Sequence, residues 1–302
     1  MVRVVTLHCD ARSSIVTPAA RACSISRRMV HWRMTSAFLG THELYNRGVA
    51  VFLFFAAAIG GALNAVAGGG SFLTLPALIV AGVSPVVANA TSTLALWPAS
   101  ISSTVAYRKE LKSSRQWLAI LGLTSVAGGL AGALLLVRTS DESFLRLLPW
   151  LMLVAAATFS FGNKLRPTPK ETGGAHRFEQ GGAWHPAMLG VVAFQFVIAL
   201  YGGYFGGGMG IMMLATMALA GMTNIHEMNG LKSFLGVSIN GVALATFIIS
   251  GAISWKYGLV MAVGATLGGY STASFARQLD ARYVRRFVIV VGWAMTIYFF
   301  VK

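Results

Sequence analysis

Gly68-Gly69-Gly70-Ser71-Phe72-Leu73-Thr74-Leu75-Pro76 places a triple glycine inside a strongly apolar run. The apolar residues that follow, Phe72 to Ala81, number ten. A helix of ten residues rises about 15 Å, half the thickness of a bilayer. The segment can be a half-helix but not a span. Gly82-Val83-Ser84-Pro85 then reads as a turn into a new helix, with Ser at the N-cap and Pro in the first turn. That helix carries the polar cluster Asn89-Ala90-Thr91-Ser92-Thr93 and runs to about Tyr107. A second version follows at Gly206-Gly207-Gly208-Met209-Gly210, with a half-helix from Ile211 to Ala220. Its turn is Gly221-Met222-Thr223-Asn224, and Thr223 or Asn224 caps a helix bearing Asn229, Lys232 and Ser233 to about Ile249.

Composition sets the medium in which these breaks occur. Of 302 residues 56% are hydrophobic and 11% charged, with mean hydropathy +0.68. Soluble domains carry about 25% charged residues, so this chain could not cover its own surface in water. It reads as an all-α polytopic membrane protein. The formal net charge of +15 comes from residues in the tail and the connections. That distribution speaks of membrane orientation and excludes nucleic acid as a partner. Cys9 and Cys23 both precede the apolar part, and no Cys/His set has metal-ligand spacing, so no metal and no cofactor are expected.

The order of segments is regular. Residues 1–47 hold seven arginines against Asp10 and Glu43 and read as a disordered cytoplasmic extension. A transit peptide, or a start at Met29 or Met34, would fit as well. Residues 48–162 contain apolar spans from Val49, Ser84, Trp117 and Phe144, with the half-helix between the first two. Residues 163–185 are a polar linker rich in Gly and Pro, and residues 186–302 repeat the pattern. Gly82 and Gly221 are 139 apart, Asn89 and Asn229 140, and Trp117 and Trp255 138. The near-constant offset argues for internal duplication. The expectation is about eight transmembrane helices in two homologous four-span repeats, each with a re-entrant half-helix. With an even number of crossings per repeat, basic residues favour a cytoplasmic N-terminus, against the four arginines between 277 and 286. An odd number would invert the halves and bring that connection inside, as in many transporters.

Both capped helices show a polar stripe at i, i+3, i+4 and i+11: Asn89, Ser92, Thr93 and Ser100, then Asn229, Lys232, Ser233 and Asn240. Such residues can bond helix to helix or line a path. Lys232 stands well inside a span, where a charge needs a cavity or a partner. It either attracts an anion or pairs with Glu227. The glycines fit the anion reading, because a half-helix that starts after them presents unpaired N–H groups and a positive dipole end. Close helix packing is the alternative, preferred for Gly128/Gly132 and Gly264/Gly268. The candidate substrate-binding residues are therefore Gly68, Gly69, Gly70, Ser71, Asn89, Ser92, Thr93, Gly206, Gly207, Gly208, Asn229, Lys232 and Ser233. Asn64 is a weaker lining candidate. His226 and Glu227 are candidates for proton coupling, although Asn224-Ile225-His226-Glu227 also fits a capping box. No zinc-protease, nucleophile-elbow or P-loop motif is present, so no enzyme is expected.

The run from Gly68 to Pro76, with Gly82-Val83-Ser84-Pro85 and Ala88 to Ser92, resembles the first-repeat signature of the TauE/SafE sulfite-exporter family. Gly203 to Gly210 with Gly221 to Ser233 is similar to the second. The likeness covers roughly residues 48–302. It implies a secondary transporter in the inner or plasma membrane, exporting a small sulfur-containing anion such as sulfite or an organosulfonate by alternating access, with protons as candidate coupling ions. An anion-selective channel, or a transporter of another small anion, would use the same elements. Direction of transport, coupling ion and oligomeric state are not legible.

Overall fold

The computed structural model describes residues 47–64, 68–106, 108, 115–161, 186–220, 222, 224–275 and 281–301. The basic tail and the linker at 163–185 lie outside them. Of the two units into which the chain divides, Met1–Val49 and Ala50–Lys302, the account below concerns the second. The described residues form ten helices. They are α1 (Arg47–Asn64), α2 (Ser71–Val80), α3 (Pro85–Ala106), α4 (Arg115–Arg138) and α5 (Asp141–Phe161), then α6 (Pro186–Tyr204), α7 (Met209–Leu219), α8 (Ile225–Ile249), α9 (Trp255–Phe275) and α10 (Ala281–Val301). Eight are 18 to 25 residues long, while α2 and α7 have 10 and 11, as the half-helix reading requires. By length and apolarity alone, Arg47–Asn64, Leu118–Arg138, Asp141–Phe161 and Glu227–Ile249 can cross a membrane. The polar stripe lowers the hydropathy of α3.

Close contacts give the direction of each helix. A Cβ on Gly264 would meet Phe54 O and one on Gly268 would meet Ala58 O, so α1 and α9 run the same way. Gly128 faces Phe196 O and Gly132 faces Leu200 O, so α4 and α6 also run together. Ser254 N donates to Thr91 Oγ1 and Gly269 lies against Ala99, which aligns α3 with α9. Gly122 meets Phe234 and Gly129 meets Ile239, which aligns α4 with α8. In contrast, Trp293 bonds to Ser160 while Trp150 stacks on Phe300, so α5 and α10 are antiparallel. All ten helices therefore alternate, odd-numbered ones one way and even-numbered ones the other. Each repeat has five, so the second begins in the opposite direction to the first.

Full crossing by α1, with α2 dipping back into the far side, would set α3 against α1; α3 runs with it. The matched helices of the two halves therefore run in opposite directions. We call the face where α1, α3 and α5 begin the near face, and the other the far face.

The small-residue pairs behave as packing devices. A Cβ at Gly128, Gly132, Gly264 or Gly268 would press on a backbone carbonyl of the facing helix, and only glycine permits that approach. The swap is reciprocal: α4 of the first repeat packs on α6 of the second, and α9 of the second on α1 of the first. On the near face Val86 N donates to Asp141 Oδ1 (2.9 Å), so a carboxylate from the start of α5 caps α3.

Candidate functional site

The helices α3 and α8 cross near their midpoints, where Trp97 Nε1 donates to Val237 O (3.3 Å). Beside that crossing lies a cavity of about 90 Å³. Matching positions from both repeats line it: Thr93 with Ser233, Leu96 with Gly236, and Ser100 with Asn240. Asn64 at the end of α1 joins them, its amide reaching toward Ser100 Oγ at 3.5 Å. Phe205, Met213 and Ala99 supply apolar wall.

Both half-helices aim their N-termini at this space. Ser71 opens α2, Met209 and Gly210 open α7, and all three line the cavity. Neither helix has a side-chain cap. Phe72 N and Leu73 N turn back to Gly69 O and Gly70 O, and Ile211 N to Gly208 O, so it is the start of each helix, at Ser71, Met209 and Gly210, that faces the cavity. The breaks need glycine: Gly68 and Gly206 have φ of 77° and 84°, and both line the cavity. Lys232 is the titratable side chain on the wall among the described residues. Its stem lies over Gly210, where a Cβ would sit 3.4 Å from Lys232 Cδ.

Six of the thirteen expected residues thus meet here: Gly68, Ser71, Thr93, Gly206, Lys232 and Ser233. The other seven do not line the cavity. Gly69 packs under Val288 of α10 and Phe159 of α5, and Gly70 against Gly60 O within the α1–α2 hairpin. Gly207 lies under the ring of Phe205, and Gly208 (φ 79°) against Ala155. Ser92 is bound to Thr74, Oγ to Oγ at 2.6 Å, while Thr74 Oγ1 donates to Gly70 O. Asn89 Nδ2 donates to Tyr204 O (2.9 Å). Asn229 sits a turn away from the cavity wall. Glu227 is also off the wall; its N–H donates to Asn224 Oδ1 (3.5 Å), the capping arrangement, and its charge lies in the first turn of α8. The side chain of His226 lies outside the described residues.

Sequence reasoning missed Leu96 and Gly236 as wall residues, a pair at the offset of 140. The described residues hold no group of three or more His, Cys, Asp or Glu that could hold a metal.

Comparison with known proteins finds membrane transporters. The family model described as "Sulfite exporter TauE/SafE" matches residues 53–299. A probable membrane transporter protein of Sinorhizobium, ORF9, is 29% identical over 247 residues, covering 82% of this chain and 90% of its own. The probable membrane transporter protein YfcA of Escherichia coli K12 is 31% identical, covering 81% and 87%. YunE of Bacillus subtilis, also a probable membrane transporter protein, is 26% identical over 266 residues, covering 82% and 97%. No solved structure matches.

Proposed function

Since the chain belongs to the TauE/SafE sulfite exporter family and is a multi-pass membrane transporter, we propose that its cargo is a small sulfur oxyanion such as sulfite, held between the two half-helix N-termini and Lys232. One observation carries the reading: two uncapped helix N-termini, entering from opposite faces, open on a single cavity beside a lysine. Each N-terminus carries about half a positive charge. With the ammonium they offset the cost of stripping water from an anion, while the Ser71 hydroxyl can donate a hydrogen bond to its oxygens; Thr93 and Ser100 already donate to Asn89 O and Leu96 O. At about 10–15 Å³ of cavity space per water there is room for several waters, enough for a compact oxyanion. The family name favours export.

The inverted repeats also bear on orientation. The connections after α3, α5 and α9 leave from the far face. Between Ala50 and Lys302 they carry twelve basic residues, four each in 108–115, 164–177 and 277–286. The near face has Arg138, Arg146, Lys256 and Lys302. The far face is therefore assigned to the cytoplasm, with α1 starting outside. This reverses the orientation expected from an even count, and it places the 277–286 arginines with the other basic connections. The arginines of the tail count the other way.

Transport of sulfite into proteoliposomes tests the cargo, wild type against Lys232→Ala. Saturable uptake that falls at least tenfold in the variant supports the reading. Equal uptake by both removes Lys232 from the site, and unsaturable conductance would make the protein a channel.

A further inference from the structure

Two of the expected substrate contacts, Asn89 and Asn229, do something else. Asn89 lies in the second turn of α3, on the near-face side of the cavity. Its amide reaches out of the first repeat to the last residue of α6 in the second, Tyr204 O. The side chain is 2% exposed, and a buried amide without a partner is costly, so the bond holds α3 to the end of α6.

The inverted repeat generates an equivalent pair on the far-face side. Asn229 follows Asn89 by 140 residues and sits in the same turn of α8. Gly61 of α1 packs on α9 at Ala265 as Gly203 of α6 packs on α4 at Gly129. That match puts Ala62 O where Tyr204 O stands in the other half. No hydrogen bond joins Asn229 to α1 among the described residues, and Asn229 is partly exposed where Asn89 is buried. Ser92 and Lys232, at the next matched positions, repeat the contrast: Ser92 is 2% exposed and sealed off, while Lys232 is partly exposed on the wall.

We infer that Asn89 and Asn229 are alternating latches of the transport cycle. In the state seen here Asn89 holds α6 and shuts the near face. In the opposite state Asn229 holds Ala62 O and shuts the far face, and the Asn89 bond opens. Each amide favours one state by its bond in that state alone, which is what a two-state element needs. Both are positioning residues, acting through the hairpins and not on the cargo. The inference rests on the transporter reading but not on the identity of the anion.

The test is sided cysteine labelling. Cys9 and Cys23 are replaced by serine, Ala99 on the cavity wall becomes Ala99→Cys, and a small membrane-impermeant methanethiosulfonate is applied from one face at a time. Wild type should label faster from the far face. Asn89→Ala should raise the near-to-far ratio about threefold, the size that an average interhelical hydrogen bond in a membrane supports. Asn229→Ala should lower the ratio by a similar factor. If both variants move it the same way, or neither moves it, the latch is refuted. Should Asn89→Ala fail to fold, Asn229→Ala decides alone: an unchanged or raised ratio refutes the pair. Equal labelling from both faces in wild type contradicts the far-open state assigned here and overturns the latch as drawn. Loss of sulfite uptake with the ratio shifting as expected would leave the latch standing and the cargo wrong.

Discussion

The first hairpin breaks between Asn64 and Ser71, and the second between Tyr204 and Met209. Both return through a half-helix whose N-terminus opens on the same cavity, yet they are fastened differently. The first is tied inside its own repeat, Thr74 to Gly70 O and to Ser92. The second is tied across the repeats, by Asn89 to Tyr204 O, and to α5 by the Tyr201 hydroxyl, which lies 2.8 Å from Gly207 O and 3.2 Å from Leu151 O. The position matching Tyr201 is Ile59, which has no hydroxyl. The helix frame is thus matched between the halves, while the second hairpin has ties to the first half that the first hairpin lacks, and the lysine stands beside it on α8. A symmetric protein would have two equal half-sites. This one has backbone dipoles from both halves and a full charge from the second.

The frame itself offers the largest effects. Gly132→Val and Gly268→Val each drive a Cβ into a facing carbonyl, one in each swapped interface. Each should cost toward the upper end of the ~1–3 kcal/mol typical of overpacking. Thermal unfolding in detergent should show similar losses for both, and little change for Gly190→Val, which has open space around it. Unequal losses would mean that the two interfaces are not equivalent. Sidedness checks the inversion directly. Cysteines at Arg108 and Asn224 should label from one face, and cysteines at Ser140 and Gly251 from the other. Parallel repeats would pair Arg108 with Gly251.

The chemistry should be far less symmetric than the frame. Lys232→Ala should lower sulfite affinity roughly 10- to 100-fold, since hydrogen bonds to charged groups are worth ~1.5–3 kcal/mol. Moving the charge, with Lys232→Ser and Ser92→Lys together, should not restore it. Ser92 points at Thr74 in a packed interface and is absent from the cavity wall. Recovery of uptake in the double variant would show that the two halves are interchangeable after all.

How much of this could be read in the residues follows from what each signal measures. Ten apolar residues after a triple glycine cannot cross a bilayer, so α2 and α7 were legible from length alone. The offset suggested the duplication. Helix direction was not legible: about nineteen apolar residues from Val49 say that a helix is long enough to cross, and nothing about where in depth it stops. The contacts of Gly264 and Gly268 supply the direction. The polar stripe was legible as a stripe, but its members divide. Thr93, Ser100, Lys232, Ser233 and Asn240 reach the cavity. Asn89 and Ser92 are claimed by partners 115 and 18 residues away, which helical periodicity cannot show.

The smallest expected effect bears on the second hairpin alone. Tyr201→Phe keeps the ring, which stacks edge-on against Phe205 at 5.9 Å, and removes only the hydroxyl. Gly207 O, in the break, then loses a donor in a buried setting. The net worth of one such bond is about 1 kcal/mol, so unfolding should shift by only a few degrees. The consequence for transport should exceed that for stability, because the hydroxyl spans the break and α5 at once. If it fixes the angle at which α7 meets the cavity, Tyr201→Phe should weaken sulfite affinity while Thr74→Val, the break in the other hairpin's tie, affects it less. Equal losses in the two variants would show that the hairpins share the work of orienting the anion, and that the asymmetry lies in Lys232 alone.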